Sequence, residues 1–200
     1  MTNPVRVVIP TMESRRDFLL AKCLPSVYQN HPAEVVIIDG PENGNEKRNM
    51  GASGNQQPFL LFVDDDTELG PDCLALMLTA LAQNPEAAFA YSNFKIVVHE
   101  GVEFDAPPGD IFAGRFSATR LMQENYINTT SLLRREWFLG FDPEIRRFQD
   151  WDHWLRVVNA GGYGVFVNQS LFTLHQIDKS VTMSVPRNEA TSAIRRKHGL

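Results

Sequence analysis

Three short apolar runs set what this chain can fold into: Val5 to Pro10, Glu34 to Gly40 and Phe59 to Val63. Each is rich in β-branched or aromatic residues and too short for a helix, so each reads as a buried strand. Other apolar residues recur at helical spacing: Leu20, Cys23, Leu24 and Val27, then Leu74, Met77, Leu78 and Leu81. Between the second and third strands, the residues from Glu46 to Gly54 read as a short helix cut by glycine. Pro71 suits the first turn of the helix after the third strand. Strands alternating with amphipathic helices specify an α/β fold: a mostly parallel central sheet flanked by helices. Ligands of such sheets bind beyond the carboxyl ends of the strands. Three strands end there in polar groups: Thr11, then Asp39, then Asp64, Asp65 and Asp66.

The second half is less regular. Residues 87–98 supply one or two more strands, and residues 100–125, with Pro107-Pro108 and scattered charge, read as loops with a short strand. Trp151, Trp154, Leu155 and Val158 lie at i, i+3, i+4 and i+7. That spacing predicts a helix starting near Asp150 and stopped by Gly161-Gly162. Residues 163–167 read as a strand, residues 171–184 as a last strand and loop, and residues 186–200 as a polar helix or disordered tail. Two hundred residues without a repeat or linker suit one domain with a real core.

The net charge of −5 opposes a broad nucleic-acid-binding face, although a local basic pocket stays open. Cys23 and Cys73 have no metal-ligand neighbours at CxxC or CxH spacing and read as buried, reduced thiols. No signal peptide opens the sequence, and no apolar run approaches the roughly 20 residues of a spanning helix. The expectation is a cytoplasmic protein, with peripheral contact to a membrane left open.

Asp64, Asp65 and Asp66 follow five apolar residues, Phe59 to Val63. Adjacent carboxylates at a sheet edge repel, so positive charge should meet them. A divalent cation is one answer, Mg2+ or Mn2+ being hard ions that favour carboxylate and phosphate oxygen. Alternation along an extended segment would aim Asp64 and Asp66 at one site and turn Asp65 away. The bland reading is a solvated acidic turn before a helix N-terminus. A calcium EF-hand fails because the sixth position from Asp64 is Leu69 rather than glycine. The D-x-D-x-[TV] phosphatase pattern fails because the fifth position is Glu68 and the strand is the third.

Six segments in order resemble the GT-A fold glycosyltransferases of family 2, which are inverting enzymes with a Rossmann-like core. They are VVIPT with Arg15-Arg16 and LLAKCLPSVYQN; VVIIDG; KRNMGAS, similar to A-R-N-x-G; FLLFVDDDTELGP, similar to the D-x-D motif; FDPEIRRFQDWDHWLRVVNAGGYGVFV; and LHQIDKSVTMS. The resemblance runs over residues 4–184. It implies one domain over residues 1–185, with residues 1–98 as the nucleotide-sugar half and 99–185 as the acceptor half.

The resemblance also implies roles. Pro10 and Thr11 would line the nucleotide pocket, and Asp39 would accept a hydrogen bond from the base, typically uracil. Arg48 would sit by the nucleotide, with Asp64 and Asp65 on the donor. Asp66 would ligate a divalent cation, Mn2+ or Mg2+, with His175 as a further metal or diphosphate contact. Asp150 would be the general base. Asp152 competes with it, but an i, i+4 ion pair with Arg156 explains Asp152 equally well. The partners implied are a nucleotide-sugar, most simply a UDP-sugar, and a hydroxyl on a glycan, lipid-linked glycan or other acceptor. The chain departs from the family pattern at Met12-Glu13, at Gly40 and at Gln149. Two other readings stay open: a nucleotidyltransferase, whose G-x-G-T-R-x-x-P loop the glycine-free PTMESRRDF does not resemble, and a non-catalytic nucleotide- or glycan-binding domain.

Overall fold

A computed structural model describes residues 3–54, 56–102, 104, 106–177 and 184–200. The three apolar runs become β1 (Asn3–Pro10), β2 (Pro32–Ile38) and β3 (Phe59–Phe62), and β1 pairs in parallel with both others. Their carboxyl ends therefore lie on one rim. The further strands are β4 (Thr67–Leu69), β5 (Phe89–Val98), β6 (Gly109–Ile111), β7 (Leu132–Arg134) and β8 (Gly164–Gln176). The sheet runs β2-β1-β3-β7-β5-β8-β4, with β6 on β5. The long β5–β8 pair is parallel, while the short β4, β6 and β7 pair antiparallel. By paired length the sheet is mostly parallel. Residues 163–167 and 171–176, expected as separate strands, are one strand that keeps pairing with β5 across register shifts at Ser92/Asn93 and Asn93/Lys95.

The first helical segment is composite. A 3₁₀ turn (Glu13–Arg15) leads into α1 (Arg16–Phe18), a π turn (Leu19–Cys23) and α2 (Leu24–Gln29). Pro25 has no N–H to give the Ala21 carbonyl, so the ladder is already disrupted there. Leu24 N–H reaches back to Leu19 O, the spacing of a π turn. The segment after β2 is α3 (Gly44–Ala52), started by a capping box in which Asn43 and Glu46 bond each other's backbone N–H. Gly51 does not cut this helix, contrary to the sequence reading. It lets α3 lie against the sheet: a Cβ there would sit 2.3 Å from Val8 Cγ1.

One core cluster joins β1 and β3 to the first helical segment and α4 (Cys73–Gln83). Cys23 and Cys73 are free and buried within it, and burial pushes both thiols up, Cys73 to about 12. A second cluster gathers Phe89, Tyr91, Trp151 and Trp154 beneath α5 (Ala118–Gln123) and α6 (Gln149–Asn159). Both tryptophans are core residues, Trp154 stacking on Phe89 at 4.3 Å. Trp137 packs over Gly162, where a Cβ would meet its ring at 3.0 Å.

The last residues form α7 (Arg187–His198), a docked helix with Ile194 and Ala190 buried. Asp152, fully buried, receives Lys197 Nζ at 2.8 Å, His198 Nε2 at 2.9 Å and Arg156 Nε at 3.0 Å. Desolvation pushes its carboxyl up, but these partners outweigh that and hold it below its ordinary value.

Candidate active site

The rim is built where β1 and β3 end. Thr11 follows β1 directly, and its N–H bonds Ile38 O, tying the ends of β1 and β2 together. Beyond β3 the backbone does not stay extended: Thr67 N–H bonds Asp64 O at 2.9 Å, closing a turn over Asp65 and Asp66. The alternation expected of Asp64 and Asp66 therefore does not occur. Asp65 turns inward, where its two carboxylate oxygens accept from Thr11 Oγ1 at 2.9 Å and Arg15 Nη1 at 3.1 Å. Arg15 Nη1 also donates to Asp66 Oδ2 at 2.7 Å. Asp64 pairs instead with the Arg48 guanidinium from α3. Burial pushes the Asp65 carboxyl up from its ordinary range, and Arg15 and Thr11 pull it back.

Arg48 is itself buried, with Nη1 on Asn45 Oδ1 at 3.2 Å and its guanidinium 5.6 Å from the Phe141 ring centroid. Next to it Lys47, 5% exposed, donates from Nζ to Thr11 O at 2.7 Å. Lys47 stands where the A-R-N-x-G pattern has alanine, the one sequence signal that could have marked it. Asp39 is exposed at the end of β2, with Oδ1 accepting from Gly40 N–H at 2.8 Å. It shares the rim but none of the carboxylate contacts. Pro10, buried at the end of β1, pairs with Ile38.

Asp150 comes from α6 in the other half. Phe148 precedes the helix in a left-handed conformation (φ 65°), which puts Asp150 in the first turn and not at the cap. Its Oδ1 accepts from Asn125 Nδ2 and from Trp151 N–H, both at 2.9 Å. Desolvation raises its carboxyl to about 6, against those hydrogen bonds and the pull of Arg48. The Arg48 charge thus acts on both Asp64 and Asp150. Asn125 had no sequence signal, because its segment carried no recognised pattern. Asp152, the competing base, is fully buried and held by Arg156, Lys197 and His198.

A divalent cation fits these residues poorly. Both Asp65 oxygens are engaged, Asp66 already holds Arg15, and Asp64 holds Arg48. His175 does not bring its ring to Asp66. Its backbone N–H bonds Asp66 O at 2.9 Å, while its ring nitrogens lie 3.2 Å from Glu68 Oε2 and 3.2 Å from His99 Nε2. Among the described residues no three His, Cys, Asp or Glu side chains converge as a metal site. Mn2+ or Mg2+ on Asp66 and His175, as the resemblance implies, is not the donor set seen. Residues 178–183 of the LHQIDKSVTMS segment lie outside the described residues. An open cleft of about 610 Å3, lined by Lys22, Glu68, Lys95 and Asp110 among others, includes none of the rim residues Thr11, Asp64, Asp65 or Asp66.

Comparison with solved structures gives the fold. Residues 1–349 of S. aureus TarS in complex with UDP-GlcNAc superpose with a TM-score of 0.69 at 12% identity, covering 99% of this chain and 65% of that one. The chain has the TarS fold. The TarS complex with UDP gives a TM-score of 0.66 at 12% identity, over 98% of this chain and 64% of that one. In sequence, an uncharacterized glycosyltransferase of Haemophilus influenzae is 26% identical over 176 residues, 84% of this chain. This chain spans 59% of that relative's length. No family model matches the sequence. Among the described residues no helix is long and apolar enough to cross a membrane.

Proposed function

We propose that this chain is an inverting glycosyltransferase of GT-A family 2 type, moving a sugar from a UDP-sugar to an acceptor hydroxyl. The observation that carries the proposal is Asp150, a carboxyl at about 6 whose charge is coupled to the cation that holds the rim carboxylate Asp64. The TarS complexes with UDP-GlcNAc and UDP, on the same fold, support a uridine diphosphate donor on the rim. The named relative supports sugar transfer.

In this reading Pro10, Thr11 and Asp39 take the base, while Arg48 and Lys47 face the ribose and diphosphate. The acceptor hydroxyl, of a glycan or lipid-linked glycan, attacks the anomeric carbon from the face opposite the diphosphate. Its proton passes to Asp150, whose Oδ1 is already occupied and whose Oδ2 accepts it. A C–O bond forms, the anomeric C–O bond to phosphate breaks, and UDP leaves with the electron pair. A base near 6 suits this step, being ionised at neutral pH yet still basic. The buried guanidinium and ammonium groups stabilise charge gathering on the leaving diphosphate.

The test is release of UDP from a panel of UDP-sugars, with and without candidate acceptors, by wild type and Asp150→Asn. Release above background by wild type and its loss of about 100-fold or more in the variant are expected. A wild type that binds UDP but never turns over a UDP-sugar would make the domain a binding module.

A further inference from the structure

The acidic rim demanded positive charge, and the fold supplies it from within. Asp64, Asp65 and Asp66 pair with Arg15 and Arg48, and Lys47 stands beside them on Thr11 O, so three cations accompany these three carboxylates. We propose that Arg15, Arg48 and Lys47 together take the place of a divalent cation at this rim, and that the chain binds its nucleotide diphosphate without metal. This rests on the UDP-sugar reading above.

Two features of the geometry support it. First, Arg15 is part of the rim's construction. It ends the 3₁₀ turn that follows Thr11, its N–H bonds Met12 O at 3.0 Å, and it is 9% exposed. One guanidinium nitrogen bridges Asp65 and Asp66. A metal taking either carboxylate would displace that buried charge from its partner, which is unfavourable. Mg2+ in addition demands near-octahedral oxygen ligands and dehydrates reluctantly. Second, Lys47 is a buried cation that pairs with no carboxylate among the described residues. Its Nζ donates to a carbonyl, Thr11 O, on the residue whose hydroxyl bonds Asp65. An ammonium carries three donors, so two remain for phosphate oxygens.

The experiment is calorimetric titration of UDP, with uridine as comparator, into wild type, Arg15→Met and Lys47→Ala, each in EDTA and in Mn2+. Wild type should bind UDP in EDTA, with affinity changed less than about threefold by Mn2+. Lys47→Ala should lose about tenfold or more for UDP and little for uridine, as expected for a charge-assisted phosphate contact. Arg15→Met removes the cation that bridges the two carboxylates, so it should bind UDP weakly in EDTA and recover at least about tenfold with Mn2+. Wild-type binding of UDP only with Mn2+ would overturn the proposal and leave the donor reading intact. No UDP binding under either condition would overturn both. The wild-type arms decide even if Arg15→Met fails to fold.

Discussion

Replacing Asp150 by Asn should trade activity for stability, in a way that depends on pH. The carboxyl rises from an ordinary 3.8 to about 6 because desolvation disfavours its charged form. A rise of that size corresponds to at most about 3 kcal/mol. Between the two values the folded chain holds a proton that the unfolded chain has lost. Stability therefore falls as pH rises from about 4 to about 6 and stays reduced above that. Asparagine keeps the acceptor for Asn125 Nδ2 and Trp151 N–H but cannot ionise. The variant should match wild type near pH 4 and exceed it by about 1 to 3 kcal/mol at pH 8. For a chain of this length that is a melting-temperature gain of about 3 to 10 °C. Urea unfolding at both pH values measures it, alongside UDP titration, which should be unchanged. A variant no more stable at pH 8 than at pH 4, relative to wild type, would refute the desolvated carboxyl. Loss of UDP affinity would place Asp150 on the donor side instead.

Gly51→Ala should destabilise by about 1 to 3 kcal/mol through its clash with Val8, against a helix-propensity gain of about 1 kcal/mol, and urea unfolding reads the sign. A stabilised Gly51→Ala would mean that α3 does not lie as close to β1 as described. Asp65→Ala removes the carboxylate that accepts from both the Thr11 hydroxyl and Arg15, and should cost about 2 to 3 kcal/mol by the same measurement. The double variant Lys197→Met, His198→Ala leaves buried Asp152 with Arg156 alone. Hydrogen exchange in α7 should then speed up markedly while α4 keeps its protection, and unchanged α7 protection would deny the clasp.

The sheet's first half was legible because β1, β2 and β3 are short, β-branched or aromatic runs with few competing conformations. The helix of Trp151 and Trp154 was legible for a similar reason, its apolar stripe being strong. Gly51 misled because a glycine inside a helical stretch is locally a breaker. Only the neighbouring Val8 shows why the helix needs it. Residues 186–200 read as a polar helix or a disordered tail, and the helix forms because Lys197 and His198 dock it through a carboxylate far along the chain.

The sequence by itself determined that three strands deliver a hydroxyl and four carboxylates to one rim, and that the Asp64–Asp66 cluster requires positive charge. Strand periodicity and Coulomb repulsion are local, so both follow from residue order. Which cation answers that charge was decided by tertiary structure alone. A turn closed by Thr67 re-aims Asp65 and Asp66, and the 3₁₀ turn after β1 brings Arg15 onto both. Arg48 and Lys47 arrive because Gly51 lets α3 settle on the sheet. These pairings join residues 16 to 51 positions apart, a range over which no sequence periodicity acts.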